Sequence, residues 1–178
     1  MSESPSLRRP RFFSGKLVTP ADLELQQQYF REKLKRHNRS LHGFGIVSGL
    51  KVSVNSGQIL VESGLALDCE GNELAIETAQ TVVAPPIDWR TAFVNIRFVE
   101  EDACLVPSPE PADDPNLPAT VTDSFELVVT EENSNRGHRH LRARWLACGR
   151  PHVLTIARLR HSSQGWRVDR GYRAPVVK

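Results

Sequence analysis

The chain has 178 residues, 39% hydrophobic and 25% charged, which suits one domain with a substantial core rather than two full-sized ones. A net charge of +2 gives no global electrostatic reason to expect a nucleic-acid partner, which would need a local basic patch. No run approaches the ~18 apolar residues of a membrane span, so no membrane insertion is expected, and MSESPSLRRPR lacks the apolar core of a secretory signal.

Three cysteines, Cys69, Cys104 and Cys148, cannot all pair with one another, and their spacing matches neither a disulfide framework nor a zinc ribbon. They read as reduced thiols of a protein made in the cytoplasm. Residues 1–11 are polar and basic, with Pro5 and Pro10, and read as a flexible arm. Residues 12–178 then form a single domain. Phe12, Phe13 and Gly15 mark a short turn or strand. Thr19-Pro20-Ala21-Asp22 is a helix start: Thr19 can cap, Pro20 fits the first helical position, and Asp22 complements the helix dipole. Leu23, Phe30, Leu34 and Leu41 recur on one helical stripe, interrupted by Gln27 and Asn38. Cationic Arg31, Lys33, Lys35, Arg36 and Arg39 crowd the C-terminal half, and Gly43 and Gly45 end the helix, which spans about residues 20–41.

Beyond Ile46 the apolar period falls to two. Val52 and Val54 lead into the Asn55-Ser56-Gly57 turn, and Ile59 to Val61 returns as the second arm of a hairpin. A second hairpin pairs Leu65–Leu67 with Leu74–Ile76 around a turn at residues 68–72. Further strands are predicted at residues 93–99, 125–130, 152–159 and 166–168, the last following a Ser162–Gly165 turn. Residues 106–123, with prolines at 107, 109, 111, 115 and 118, read as a long acidic loop that is either an excursion or a docking arm. The expected fold is mainly β: an antiparallel β-sandwich with one long N-terminal α-helix.

The chemistry-bearing residues do not form a recognisable centre. His138-x-His140 lacks a third ligand at zinc spacing, and Arg136, Arg139, Arg142 and Arg144 oppose a divalent cation. Cys148 with His152 has no evident orienting group. Asp68, Glu70 and Glu73 around Gly71 are better read as a turn than a calcium loop. LHGFGIVSG lacks the lysine and hydroxyl of a phosphate-gripping loop. The basic stretch 136–150 has only Trp145 for stacking on bases and no recognition helix. No catalytic residue, metal or cofactor is assigned. The glutamine run Gln26-Gln27-Gln28 can donate and accept hydrogen bonds at lower desolvation cost than charges, and reads either as the face of a helix packed on another chain or as a solvated helix face. Phe12 and Phe13 are either an anchor in a neighbour's groove or a staple onto the chain's own helix.

Three segments carry a family resemblance: FFSGKLVTPADLELQQQYF from Phe12, LHGFGIVSGLKVSVNSGQILVESGLALDCEGNEL from Leu41, and LTIARLRHSSQGWRVDRGYRAPVV from Leu154. In order and spacing they resemble the N-terminal shoulder domain of TssK, a baseplate protein of type VI secretion, itself similar to the shoulder of phage receptor-binding proteins. Short proteins with an R-x-F-F-x-G-K-L opening also resemble components of extracellular contractile injection systems. The resemblance implies a shoulder-like domain, a homotrimer, and an N-terminal segment engaging baseplate wedge proteins. It does not extend to the family's helical stalk and head, so a membrane-complex docking role is not implied for Lys178 and the residues before it. The expected function is a non-enzymatic component of a phage-tail-like contractile particle, a baseplate adaptor or fibre-holder without a nucleic-acid partner. Its expected contacts are Arg9, Arg11, Phe12 and Phe13 in the arm, and Gln26, Gln27, Phe30 and Arg31 on the helix. Two alternatives stand beside it. One is a free-standing binding module for a sugar or other surface ligand, with Trp89 and Tyr172 as its aromatics. The other is a small enzyme using His138, His140 and Cys148.

Overall fold

The structure, a computed structural model, describes residues 6–107, 116–135 and 152–177. The helix α1 (Pro20–His37) begins as the sequence dictates. Thr19 is its N-cap, the Asp22 amide donates to Thr19 Oγ1 at 3.3 Å, and the Thr19 amide donates back to Asp22 Oδ2 at 3.2 Å. One wider π-helical turn, Asn38–His42, continues from α1. It ends at Gly43, whose amide donates to the Asn38 carbonyl at 3.0 Å and whose φ of 80° suits glycine.

Among the described residues ten strands follow, all in antiparallel ladders, so the expected mainly-β fold with one N-terminal helix is observed. They sort into three sheets. β1 (Gly45–Gly49), β4 (Gly64–Leu67) and β5 (Glu73–Ile76) make one, in the order β1-β4-β5. β2 (Val52–Asn55), β3 (Gln58–Val61) and β6 (Gln80–Val83) make the second, in the order β2-β3-β6. The third, ordered β10-β9-β7-β8, contains β7 (Thr91–Pro107), β8 (Asn116–Thr130), β9 (Val153–Ser162) and β10 (Gly165–Val168). The two smaller sheets lie against the large one, β2 beside β10 and β5 beside β7 and β8. Ile59, Val61, Leu74, Ile76, Ile96 and Leu159 from all three sheets meet in one core. Both hairpins read from the sequence are present. The first closes through Ser56 and Gly57, with φ of 47° and 78°, the doubly positive turn that matches strand twist.

The core contains a polar knot. Asn95 and Thr155 are fully buried where the β7–β9 register shifts. Thr155 Oγ1 donates to Asn95 Oδ1 at 2.6 Å, and Asn95 Nδ2 donates to Thr130 Oγ1 at 2.8 Å. The Asn135 side chain takes up the Thr155 backbone at 2.8 and 2.9 Å. The side chains of Asn95 and Thr155 thus each have partners, which offsets the cost of burying them.

One expectation is corrected. The proline-rich stretch read as a loop over residues 106–123 is largely strand: β7 and β8 pair rung by rung out to Pro107 opposite Asn116. Prolines are tolerated there because, among the described residues, β8 is an edge strand with no further ladder on its outer side. Only residues 108–115 of that stretch lie outside the described residues.

The C-terminal segment returns beside β1. The Ile46 amide donates to the Pro175 carbonyl at 2.8 Å, and the Val177 amide donates to the Ile46 carbonyl at 3.0 Å. Gly45 makes this approach possible: at its φ of 137°, a Cβ would sit 2.6 Å from the Pro175 carbonyl. Gly45→Ala should therefore detach residues 175–177 and cost roughly 1–3 kcal/mol in urea denaturation. Unchanged stability with intact protease resistance at the C-terminus would contradict this account of Gly45.

Candidate protein-docking surface

No residue of α1 is buried. That is unusual for a helix this long, since helices in proteins draw most of their stability from packing an apolar face. The periodic stripe read from the sequence faces outward: Leu23, Phe30 and Leu34 of α1 and Leu41 beyond it are all more than half exposed. The segment leading into the helix is equally uncovered, with Phe12 and Val18 about half exposed and Phe13 and Leu17 more so. Single exposed apolar residues need no explanation, but eight on one short segment mark a surface awaiting a partner.

Local hydrogen bonds fix the shape of this segment. The Lys16 amide donates to the Phe13 carbonyl at 3.1 Å, closing a turn over Ser14 and Gly15. Lys16 Nζ reaches Asp22 Oδ1 at 2.6 Å and lies 5.2 Å from the centre of the Phe12 ring. The lysine ties the aromatic turn to the first helical turn. Phe12 and Phe13 thus form a built knob held by the capping box.

The far end of α1 is anchored. Asp68, buried in the β4–β5 turn, accepts from the amides of Glu70, Gly71 and Asn72 at 2.8–2.9 Å and from the Asn72 side chain at 2.8 Å. This turn presents two carbonyls to the helix end: Asn38 Nδ2 donates to that of Gly71 at 2.9 Å, and Arg39 donates to that of Glu70. Gly71 has φ of 96°, and a Cβ there would fall 2.2 Å from the Lys35 carbonyl, so glycine lets the helix backbone rest on the turn. Arg31 adds an exposed ion pair to Glu100 of β7.

The residues singled out from sequence therefore occupy three settings. Phe12, Phe13, Arg11, Gln27 and Phe30 are exposed. Gln26 is half-buried, and beside it on α1 Leu25, Gln28, Tyr29 and Glu32, but not Gln26 itself, line a cavity of about 280 Å³ with Ser6, Leu7 and Arg8. Arg9 lies 5.8 Å over the Tyr29 ring, so this part of the arm runs along the helix, and Arg31 is committed to Glu100. Leu34 stood in the helical stripe, whereas Leu17 and Val18 carried no expectation. Their signal was present in LVTPAD: two large apolar residues just before an N-cap with nothing on the helix to cover them.

A second constellation also escaped the sequence. Cys69 Sγ lies 3.1 Å from His152 Nδ1, and His152 Nε2 lies 3.4 Å from Glu70 Oε2. The sequence had paired His152 with Cys148, which lies outside the described residues together with His138, His140 and the basic stretch 136–150. Cys69 and Glu70 approach opposite ring nitrogens, so the three cannot share one metal's coordination sphere. Among the described residues no cluster of His, Cys, Asp and Glu is arranged to hold an ion. The aromatics named for a sugar site are engaged elsewhere: Trp89 packs on the core, and Tyr172 sits edge-on to Phe93 at 6.2 Å.

Neither a protein-family model nor a curated protein sequence matches the chain. Its fold is TssK-like. A chain of the type VI secretion TssK–TssF–TssG baseplate subcomplex superimposes over 96% of this chain with a TM-score of 0.56 at 12% identity. The crystal structure of TssK gives 0.58 at 11%, and a chain of the type VI baseplate complex gives 0.52 at 14%, each again over 96% of this chain. The chain spans 62%, 43% and 60% of those three neighbours' own lengths, respectively. No helix among the described residues is long and apolar enough to cross a membrane.

The Lys16 hydrogen bond above all, followed by those from Thr19, holds the Asp22 carboxyl below the ordinary value of 3.8. A depressed folded value means this contribution is present above the unfolded value and is lost as pH falls through the folded one. The knob and first helical turn should therefore stay ordered at neutral pH and loosen only in acid below about pH 4. Asp22→Asn should remove that acid transition. An NMR titration of the Thr19 and Asp22 amides checks this, and a transition that persists in the variant would contradict it.

Proposed function

We propose that this chain is a non-enzymatic structural component of a phage-tail-like contractile injection particle. It acts as a baseplate adaptor or fibre-holder, trimeric, and seated on wedge proteins. The observation that carries this reading is α1 itself: a capped helix with no buried residue, an outward apolar stripe and an aromatic knob at its entry. Such a surface is costly in an isolated soluble chain and is accounted for by a protein partner. The TssK-like fold supports the choice of particle, since the neighbours sharing it come from baseplates.

Each group has an assigned part. Phe12 and Phe13, on a turn fixed by Lys16 and Asp22, insert as aromatic anchors. Phe30 continues the apolar strip, and Gln27 and Gln26 supply hydrogen bonds around it. Arg9 and Arg11 give the approach its charge and, being exposed, act more on the rate of encounter than on final affinity. Arg31 trims the helix's position through its exposed pair with Glu100.

Pull-down of the tagged chain from its native host should recover sheath, tube and wedge-like proteins. Phe12→Ala with Phe13→Ala should leave the circular dichroism spectrum and melting temperature nearly unchanged, since neither ring is buried, yet weaken partner recovery at least tenfold. Undiminished recovery by that variant would remove the knob from the interface. Recovery of the chain alone would overturn the assembly reading.

A further inference from the structure

We propose that the outer half of the β7–β8 ribbon is the docking surface for the basic aromatic knob of a second copy of this chain. The inference rests on the assembly reading above and gives the knob's neighbour there as a second copy; the α1 stripe of Leu23, Phe30 and Leu34 is left to the wedge proteins, whose recovery falls with the knob because the assembled copies do.

β9 accompanies β7 as far as Arg97 opposite Val153, and beyond that rung, among the described residues, β7 and β8 continue as a two-stranded ribbon to Pro107 and Asn116. A two-stranded ribbon is marginal in water unless one of its faces is covered. This one is almost wholly exposed, and Leu105, Val106, Leu117 and Val121 are each about half exposed or more. Directly opposed residues share a face, so Val106 stands beside Leu117, Asp102 beside Val121, and Glu100 beside Asp123. The described ribbon beyond Arg97 carries Glu100, Glu101, Asp102 and Asp123 and no lysine or arginine. One face thus carries Val106, Leu117 and Val121 bordered by Glu100, Asp102 and Asp123, while Leu105 and Glu101 lie on the other.

The knob is its counterpart. Residues 6–18 carry Arg8, Arg9, Arg11 and Lys16 with no acidic residue, and they leave Phe12, Phe13, Leu17 and Val18 uncovered. The two surfaces therefore match in both respects that decide recognition: apolar area to be buried, and opposite charge around it. In a single chain neither covers the other, as their exposures record. The Arg31–Glu100 pair shows the same charge pairing in use at the base of the ribbon. Two complementary patches at different places on one chain make a head-to-tail contact, which builds a closed ring where the rotation allows it.

The test is sedimentation of the full chain at low and high salt with paired charge reversals. Wild-type protein should self-associate, more weakly as salt rises. Arg8→Glu with Arg11→Glu, or Asp102→Arg with Asp123→Arg, should each weaken self-association roughly tenfold or more. All four changes in one chain should restore it, and that recovery also excludes misfolding as the cause of the single-surface losses. A monomeric wild-type chain, or a fourfold variant no better than either pair, overturns the proposal. A chain that stays monomeric yet still recovers wedge-like proteins from the host defeats this contact while leaving the assembly reading intact.

Discussion

The structure depends on how a short acidic turn receives a helix end. Asp68 gathers three backbone amides and one side-chain amide, which stiffens the β4–β5 turn and aims the Glu70 and Gly71 carbonyls outward. Asn38 and Arg39 take those carbonyls. The contact at Asn38 is buried, so losing it would strand polar groups away from water at a cost of about 1–3 kcal/mol. The Arg31–Glu100 pair is exposed on both sides, and such pairs contribute about 0.2–1 kcal/mol. The turn therefore governs the position of α1, and the ion pair trims it.

This arrangement explains how a helix can leave its apolar stripe uncovered and still have a defined direction. Its start is fixed by a capping box and a lysine tether, its end by the turn, and the apolar stripe between, Leu23, Phe30 and Leu34, is left for another chain. The same logic holds at the opposite side of the fold. β7 and β8 draw their stability from the core near Val94, Ile96 and Leu127 and then run outward, carrying acidic and apolar residues away from it. Both projecting elements are anchored at one end in a well-packed centre. Their outer portions are where a chain of this size can meet a neighbour without weakening its own core.

Much of this was legible in the sequence, because local chemistry determined it. Thr19-Pro20-Ala21-Asp22 states a helix start in four residues, Ser56-Gly57 states a tight hairpin, and the shift from period 3.6 to period 2 after Ile46 marks the change from helix to sheet. What was not legible depends on distant partners. The pairing of β1 with β4, the docking of residues 175–177 on Ile46, and the approach of Cys69 to His152 across 83 positions leave no local trace. The prolines between residues 106 and 123 argued for a loop, because a sequence does not say which strand will lie at an edge. The helix stripe was visible as a period, but period alone does not say whether the chain or a partner covers it. The Asp68 turn was read correctly as a turn, yet its role as a seat for Asn38 needed the fold.

Hydrogen exchange along α1 in the isolated chain, with and without Asn38→Ala, tests the central claim most directly. If the helix is seated only through its end, wild-type protection should be greatest from Lys35 to Gly43 and fall toward Leu23. The substitution should then release the whole helix while β7 and β9 keep their protection. Uniform protection along the helix that ignores the loss of Asn38 would mean that α1 is held along its length, and its exposed stripe would no longer call for a partner.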